Sequence, residues 1–211
     1  MFKRKASLKK HQTFGILESG LKIMFAKVMK QIAIVAASCA LALTNLGGTV
    51  NAAENAKTPT WGAWKTTTIT YKTDVSSNYY KGVWKNAVKS WNKVGVVELV
   101  PAKSGQSADI TLTSSNSLKT KGDDLAGYTN YSYYQKKDNN QIVSATSTLN
   151  KKLLTKYNYT KKQRTNVATH EIGHALGLSH SKSEASVMFA SERYASIDQQ
   201  DKAALESVYN N

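Results

Sequence analysis

Cysteine is almost absent from this chain: Cys39 is the single one in 211 residues. That excludes an internal disulfide framework and any zinc site closed by several thiolates. Long apolar runs are also scarce. The one present, Gln31 to Leu46, "QIAIVAASCALALTNL", has an apolar core shorter than the roughly 20 residues a membrane-spanning helix needs. Acidic residues are outnumbered, 14 against 29 Lys and Arg, for a formal charge of +15. Histidine is rare as well, with four in all, and no internal repeat marks a solenoid or array.

The apolar run follows Lys27 and Lys30 and precedes small residues, "GGTVNAAENA", which is the anatomy of a signal peptide. Val50 and Ala52 set a small-x-small pattern, so cleavage is expected after Ala52, with residues 1–52 as a leader and a secreted, extracellular product. Met1 to Lys22 is long for the charged opening of such a leader, which leaves Met24 and Met29 as alternative starts. Cys39 behind "AAS" raises a lipid-anchored alternative, against which the run continues as "ALAL". Once the leader is removed no cysteine remains.

The leader carries 8 basic residues against 1 acidic, and the remainder 21 against 13, or +8. A moderately basic exported domain suits anionic cell-envelope polymers or acidic substrates. Its lysines are spread along the chain instead of clustering with aromatics, which argues against nucleic acid. At 41% hydrophobic residues, the chain has material for one domain with a real core, expected to be a monomer.

Residues 53–60 are small and polar and read as a flexible lead-in, with the fold beginning near Trp61. "TTTITYKT", Thr66 to Thr73, alternates as a strand does. Tyr80, Val83, Trp84, Ala87, Val88, Trp91 and Val94 recur at helical spacing, predicting a helix from Asn78 to Val94 whose tryptophans face the core. Strands are expected at Val96 to Val100, Asp109 to Thr113, Ala126 to Tyr134 and Ile142 to Leu149. The tyrosines of Tyr128 to Tyr134 read as a half-buried strand, with a carbohydrate-binding face as the alternative. Thr160 with Gln163 forms a capping box and Gly177 a stop, giving a helix from Lys161 to Leu176. Ser196 with Gln199 repeats the device before a final helix. Strands first and helices around and after them make an α+β domain.

Three of the four histidines fall within "HEIGHALGLSH", His170 to His180. Residues four apart share a helix face, so His170 and His174 can converge on one ion. Were the helix to continue, His180 would stand about 15 Å from His170, so the chain must leave the helix and double back. Gly177 permits this through the left-handed backbone that Cβ-bearing residues resist. Three imidazoles leave a fourth metal position open, which is the catalytic arrangement. Glu171 points off the ligand face yet stays near that position, placed to take a proton from water and pass it to a leaving amine. The implied reaction is hydrolysis of a peptide bond.

The stretch from His170 to His180 resembles the extended zinc signature of the metzincin peptidases, and His180–Ser181 with Ser186–Val187–Met188 resembles the matrixin branch. Met188, eight residues past His180, matches the offset of that branch's methionine turn under the metal. Weaker similarities extend from Ile69 to Tyr209: a first helix at Tyr80 to Trp91, a central strand at "ADIT", a substrate-pairing edge strand at "LAGYT", and a last helix at Asp198 to Tyr209. The resemblance implies a metzincin-like fold: a twisted mixed sheet, an active-site helix beneath it, and a small C-terminal subdomain. It further implies a zinc endopeptidase with His170, His174 and His180 as ligands, Glu171 as catalytic base, and Gly177 and Met188 as structural support. The substrate would be a protein or peptide.

Several departures qualify the resemblance. No histidine lies between Asp109 and Leu149 to hold the family's second, structural zinc, so one zinc is expected. A cysteine-switch propeptide is missing. Ala190 stands where the family often has proline, and no tyrosine zinc ligand follows Met188 at that offset. Tyr194 is expected to pack, with the cleft as its alternative. Calcium is allowed by the resemblance alone, with Asp109, Asp123, Asp124 and Asp138 as available carboxylates but no EF-hand spacing. The competing reading is a non-catalytic cell-surface binding module that keeps zinc for stability, and a wall-associated peptidase is a third.

Overall fold

The computed structural model describes residues 8–17, 57–117, 125–136, 139–191 and 193–209. The apolar run expected to be a leader, the cleavage position expected after Ala52, and Asp123, Asp124 and Asp138 lie outside the described residues.

Among the described residues, seven strands form one mixed sheet. They are β1 (Leu8–Leu17), β2 (Gly62–Ala63), β3 (Thr68–Asp74), β4 (Glu98–Pro101), β5 (Ile110–Ser115), β6 (Leu125–Tyr134) and β7 (Asn140–Asn150). The order across the sheet is β1-β6-β7-β5-β3-β4, with β2 pairing parallel to β7 off that path. β4, β3, β5 and β7 run parallel to their neighbours, whereas β6 returns antiparallel to β7 through Gly127↔Leu149 to Tyr134↔Gln141. β5, the "ADIT" strand, is central as expected.

Among the described residues, four helices accompany the sheet: α1 (Asn78–Asn92), α2 (Lys151–Lys156), α3 (Lys161–Ala175) and α4 (Gln199–Tyr209). The stripe Tyr80, Val83, Trp84, Ala87, Val88 and Trp91 is buried, as its spacing predicts. α1 stops two residues short of the expected Val94 because the chain turns at Gly95, whose φ is +77°. Both α1 tryptophans are fully buried and tied by their indoles, Trp84 Nε1 to Thr113 O at 3.2 Å and Trp91 Nε1 to Thr169 O at 2.8 Å. Each such side chain contributes about 1.5–3 kcal/mol by leaving water. The Trp91 bond also fixes the main chain of α3 one residue before His170.

α3 begins as its sequence predicts. Thr160 Oγ1 accepts from Gln163 N and Gln163 Oε1 from Thr160 N, a reciprocal capping box. α4 departs from expectation. Its cap is Asp198, not Ser196: Asp198 Oδ1 accepts from Asp201 N at 2.9 Å while Asp201 Oδ2 accepts from Asp198 N at 3.1 Å. A carboxylate pair supplies the box, and Gln199 becomes the first helical residue. The short α2, capped by Asn150 onto Leu153 N, had no periodic signal long enough to announce it.

The lead-in ends earlier than expected. Thr58 is buried, Ser179 N donates to Pro59 O at 2.7 Å, and Thr60 bridges Leu178. The segment before Trp61 is thus laid against the chain that leaves α3. At the other side of the sheet, β6 does not form the outer edge, since β1 pairs with it antiparallel from Leu8↔Tyr134 to Leu17↔Leu125. β1 belongs to the segment ahead of the apolar run Gln31 to Leu46.

Candidate metal centre and catalytic cleft

α3 carries His170, Glu171 and His174, all without solvent exposure. It ends in a Schellman motif, in which Gly177 N donates to His174 O and Leu178 N to Gly173 O, both at 3.0 Å. Gly177 takes φ +99° there, and its carbonyl accepts from Trp61 N at 2.8 Å. The bend turns the following residues back, so His180 faces His170 and His174 with ring centroids 5.3 and 4.9 Å away. The doubling back expected at Gly177 is present.

One ligand nitrogen from each of the three rings lies within 4.8 Å of the others. The tautomers of two rings follow from their partners. His170 Nδ1 stands 2.7 Å from Val187 O and His174 Nδ1 2.9 Å from Leu178 O; a carbonyl can only accept, so both Nδ1 atoms carry the proton. Both Nε2 atoms are then bare lone pairs pointing at one another's neighbourhood. His170 Nε2 is buried with no hydrogen-bond partner, and His174 Nε2 lies 3.3 Å from His180 Nε2. Nitrogens held at 2.0–2.1 Å on a tetrahedral ion are separated by about 3.3 Å. The residues present therefore fit a single zinc ion.

Burial and neighbouring imidazoles keep the rings neutral. Desolvation, then His180, pushes the His170 pKa down to about 3; desolvation with His170 and His180 drives His174 well below its ordinary value. His180 is lowered by burial alone. Neutral imidazole is the form that ligates.

Glu171 faces the sheet. Its Oε2 accepts from Thr129 Oγ1 at 2.8 Å, and Oε1 is buried without a partner. Burial raises its pKa well above the usual carboxylate value, and the Thr129 bond pulls the other way. Gly127 of β6 is the reason the carboxylate fits: a Cβ there would stand 2.8 Å from Oε1 and 2.9 Å from Cγ. Thr129 and Gly127 are contributions that the zinc signature does not reveal. Their signal lies in the alternation of "LAGYTNY", which puts residues 127, 129 and 131 on one face.

Beneath the helix, Met188 is fully buried, and its sulfur packs so closely on Gly173 that a Cβ added there would collide with it. The turn bearing it is anchored by Asp201, which accepts from Ser186 Oγ, Val187 N and Thr58 Oγ1 at 2.6, 3.2 and 2.6 Å. Tyr194 does not pack as expected: it is 63% exposed, with the Arg193 guanidinium 5.2 Å from its ring. Asp109 Oδ2 accepts from the Thr70 main chain and hydroxyl, at 2.8 and 2.6 Å, and so serves the β3–β5 pairing. Trp61 stacks on Tyr131 with centroids 3.7 Å apart, so the tyrosine strand is half-buried, as expected.

A sheet over a capped helix, with three convergent imidazoles and a carboxylate beside them, defines the class of zinc-dependent hydrolases of metzincin architecture. Residues 63–210 match the matrixin family model. The chain belongs to the matrixin family, whose members are zinc-dependent peptidases acting on peptide bonds. No curated protein matches it.

Proposed function

We propose that the protein is an exported endopeptidase in which His170, His174 and His180 hold one zinc ion and Glu171 is the catalytic base. The observation that carries this reading is the convergence of three lone-pair nitrogens beside a buried carboxylate oxygen that has no partner. Zinc, when bound, polarises a carbonyl and lowers the pKa of water to about 7. Glu171 takes a proton at Oε1 and returns it to the departing amine, while Thr129 holds Oε2 so that only one oxygen turns towards the substrate. Gly127 keeps the space into which that oxygen projects.

β6 supplies the docking rail. Its outer edge accepts an antiparallel strand, since β1 lies there, and an extended peptide would pair in the same way. Removal of residues 1–52 with the leader would strip β1 off and leave the edge bare. The basic surface after cleavage, +8 by count, favours work near anionic envelope polymers.

The test is a digest of a peptide library and of an unfolded protein by the leader-free enzyme, with and without a zinc chelator. Cleavage that chelation stops and added zinc restores supports the reading. Cleavage indifferent to chelation, or none of any substrate, overturns it.

A further inference from the structure

Lys81, Lys85, Lys89 and Lys93 recur at every fourth residue along α1 and its C-cap, and all four are exposed. Positions four apart rise about 6 Å along a helix and turn about 40° round its axis, so the four lysines form one oblique row. The row lies away from the buried side of α1, where Trp84 and Trp91 bond to β5 and α3.

Folding alone gives little reason for this row. α1 contains no Asp or Glu, and among the described residues the one ion pair is Lys202–Glu206, on another helix. Lys89 and Lys93 suit the C-terminal end of a helix, where the dipole favours cations. Lys81 and Lys85 have no such reason, and the spacing sets each lysine against the next, since like charges four apart repel and weaken a helix. An anion laid along the row would relieve that repulsion.

A second helix adds to the same surface. Lys161, the first residue of α3, reaches the opening turns of α1: its Nζ stands 3.9 Å from where a Cβ on Gly82 would be and 5.8 Å from the centre of the Tyr79 ring. Arg164 lies 5.5 Å from the same ring, but its guanidinium is taken up by the fold, donating to the Tyr159 and Leu154 carbonyls and to the Tyr80 hydroxyl. The cations this surface turns to solvent are lysines.

Residue type narrows the partner. A planar guanidinium fork matches the two oxygens of a carboxylate, whereas an ammonium is a point charge that meets phosphate oxygens singly. A single-stranded nucleic acid would want aromatic platforms alternating with the charges, and the one exposed aromatic of α1 is Tyr79, already faced by Lys161 and Arg164. We infer that the outer face of α1, extended by Lys161, is a docking surface for a linear polyol-phosphate polymer, a flexible chain of single negative charges. The inference goes beyond the peptidase reading and does not depend on it, since no residue of the row belongs to the metal centre. Docking there would hold the protein on an anionic polymer with its cleft still open.

The experiment measures binding of the full chain to poly(glycerol phosphate) across a salt series, with hyaluronate and a single-stranded oligonucleotide as comparison polymers. The basic residues of positions 1–52 are common to every variant, so differences between variants report the row. Expected is tighter binding to poly(glycerol phosphate) than to either comparison polymer, weakening as salt rises. Lys81→Gln, Lys85→Gln, Lys89→Gln and Lys93→Gln combined should weaken it about tenfold or more and flatten the logarithmic salt slope by about 0.7 for each lysine that meets a phosphate. The Tm of that variant should be unchanged or raised, because the repulsion is gone. Lys65→Gln, Lys72→Gln, Lys103→Gln and Lys136→Gln combined, the same loss of charge at other exposed positions, should leave the affinity within about threefold. Should the first combination fail to fold, Lys85→Gln with Lys89→Gln tests the same row. Equal losses in the two fourfold variants, tighter binding to hyaluronate or to the oligonucleotide, or no binding at low salt overturns the inference.

Discussion

The hydroxyl of Thr129 lies 2.8 Å from Glu171 Oε2 and 2.9 Å from the Glu171 main-chain oxygen. With its one proton given to the carboxylate, Thr129 leaves the main-chain oxygen to Ser147 of β7, whose Oγ donates to it at 3.2 Å and lies 2.9 Å from Thr129 Oγ1. The sheet is in this way bonded to the helix that carries His170 and His174, at the residue proposed as the base.

Because Glu171 is not among the imidazoles that converge, Glu171→Ala should keep one zinc per chain and the wild-type circular dichroism spectrum. Its proteolytic kcat should fall at least about 100-fold, the usual range for losing a general base. Metal analysis and peptide hydrolysis on the same preparation check this. Undiminished turnover refutes the role.

Gly127→Ala tests the space that the glutamate needs. The new Cβ would come within 2.8 Å of Oε1, and a carboxylate is easier to displace than a paired strand. The variant should fold and bind zinc, yet lose about 100-fold in kcat, since an ångström of misplacement at the reacting groups costs that much. Wild-type kcat would show that Glu171 has room to spare.

The convergence of three histidines was legible because its geometry is local: His170, His174, Gly177 and His180 sit within eleven residues, and helix geometry plus one left-handed bend arranges them. The regular elements from β3 to α3, the short α2 excepted, were legible for a similar reason, their apolar periods being long or their ends capped. What escaped depends on partners distant in sequence. Gly127 and Thr129 matter only because β6 crosses over α3, and Asp201 only because α4 returns beneath Val187. The cap of α4 was misplaced by two residues because Ser196–Gln199 and Asp198–Asp201 both have a capping pattern. The buried hydrogen bonds that Asp201 makes favour the second.

Gly177→Ala should be among the most damaging single changes in the chain. Its φ of +99° strains any L side chain, and the added Cβ would run into the Gly62 carbonyl oxygen, which is backbone and cannot swing away. Strain of this kind costs about 1–3 kcal/mol before any collision is counted. The expected result is a lowered Tm and, in whatever folds, weaker zinc binding, because the bend that brings in His180 is disturbed. Thermal melts and zinc titration would show both, and a variant with wild-type values for each would remove Gly177 from its supporting role.

Asp201→Ala reaches the metal centre from farther away. The carboxylate is fully buried and accepts from Thr58, Ser186, Val187 and Asp198, so its loss strands donors that cost about 1–3 kcal/mol each if they stay unpaired. Val187 is the critical one: its N–H is held by Asp201 and its carbonyl by His170 Nδ1. Slack in that residue passes directly to a ligand ring, and such outer partners usually govern about 10- to 100-fold in metal affinity. Asp201→Ala should therefore lower Tm and weaken zinc binding by that factor, whereas Thr58→Val, which removes a donor on the far side of the carboxylate, should lower Tm with little change in zinc affinity. Equal effects of the two variants on zinc would mean that Asp201 acts through general stability and not through Val187.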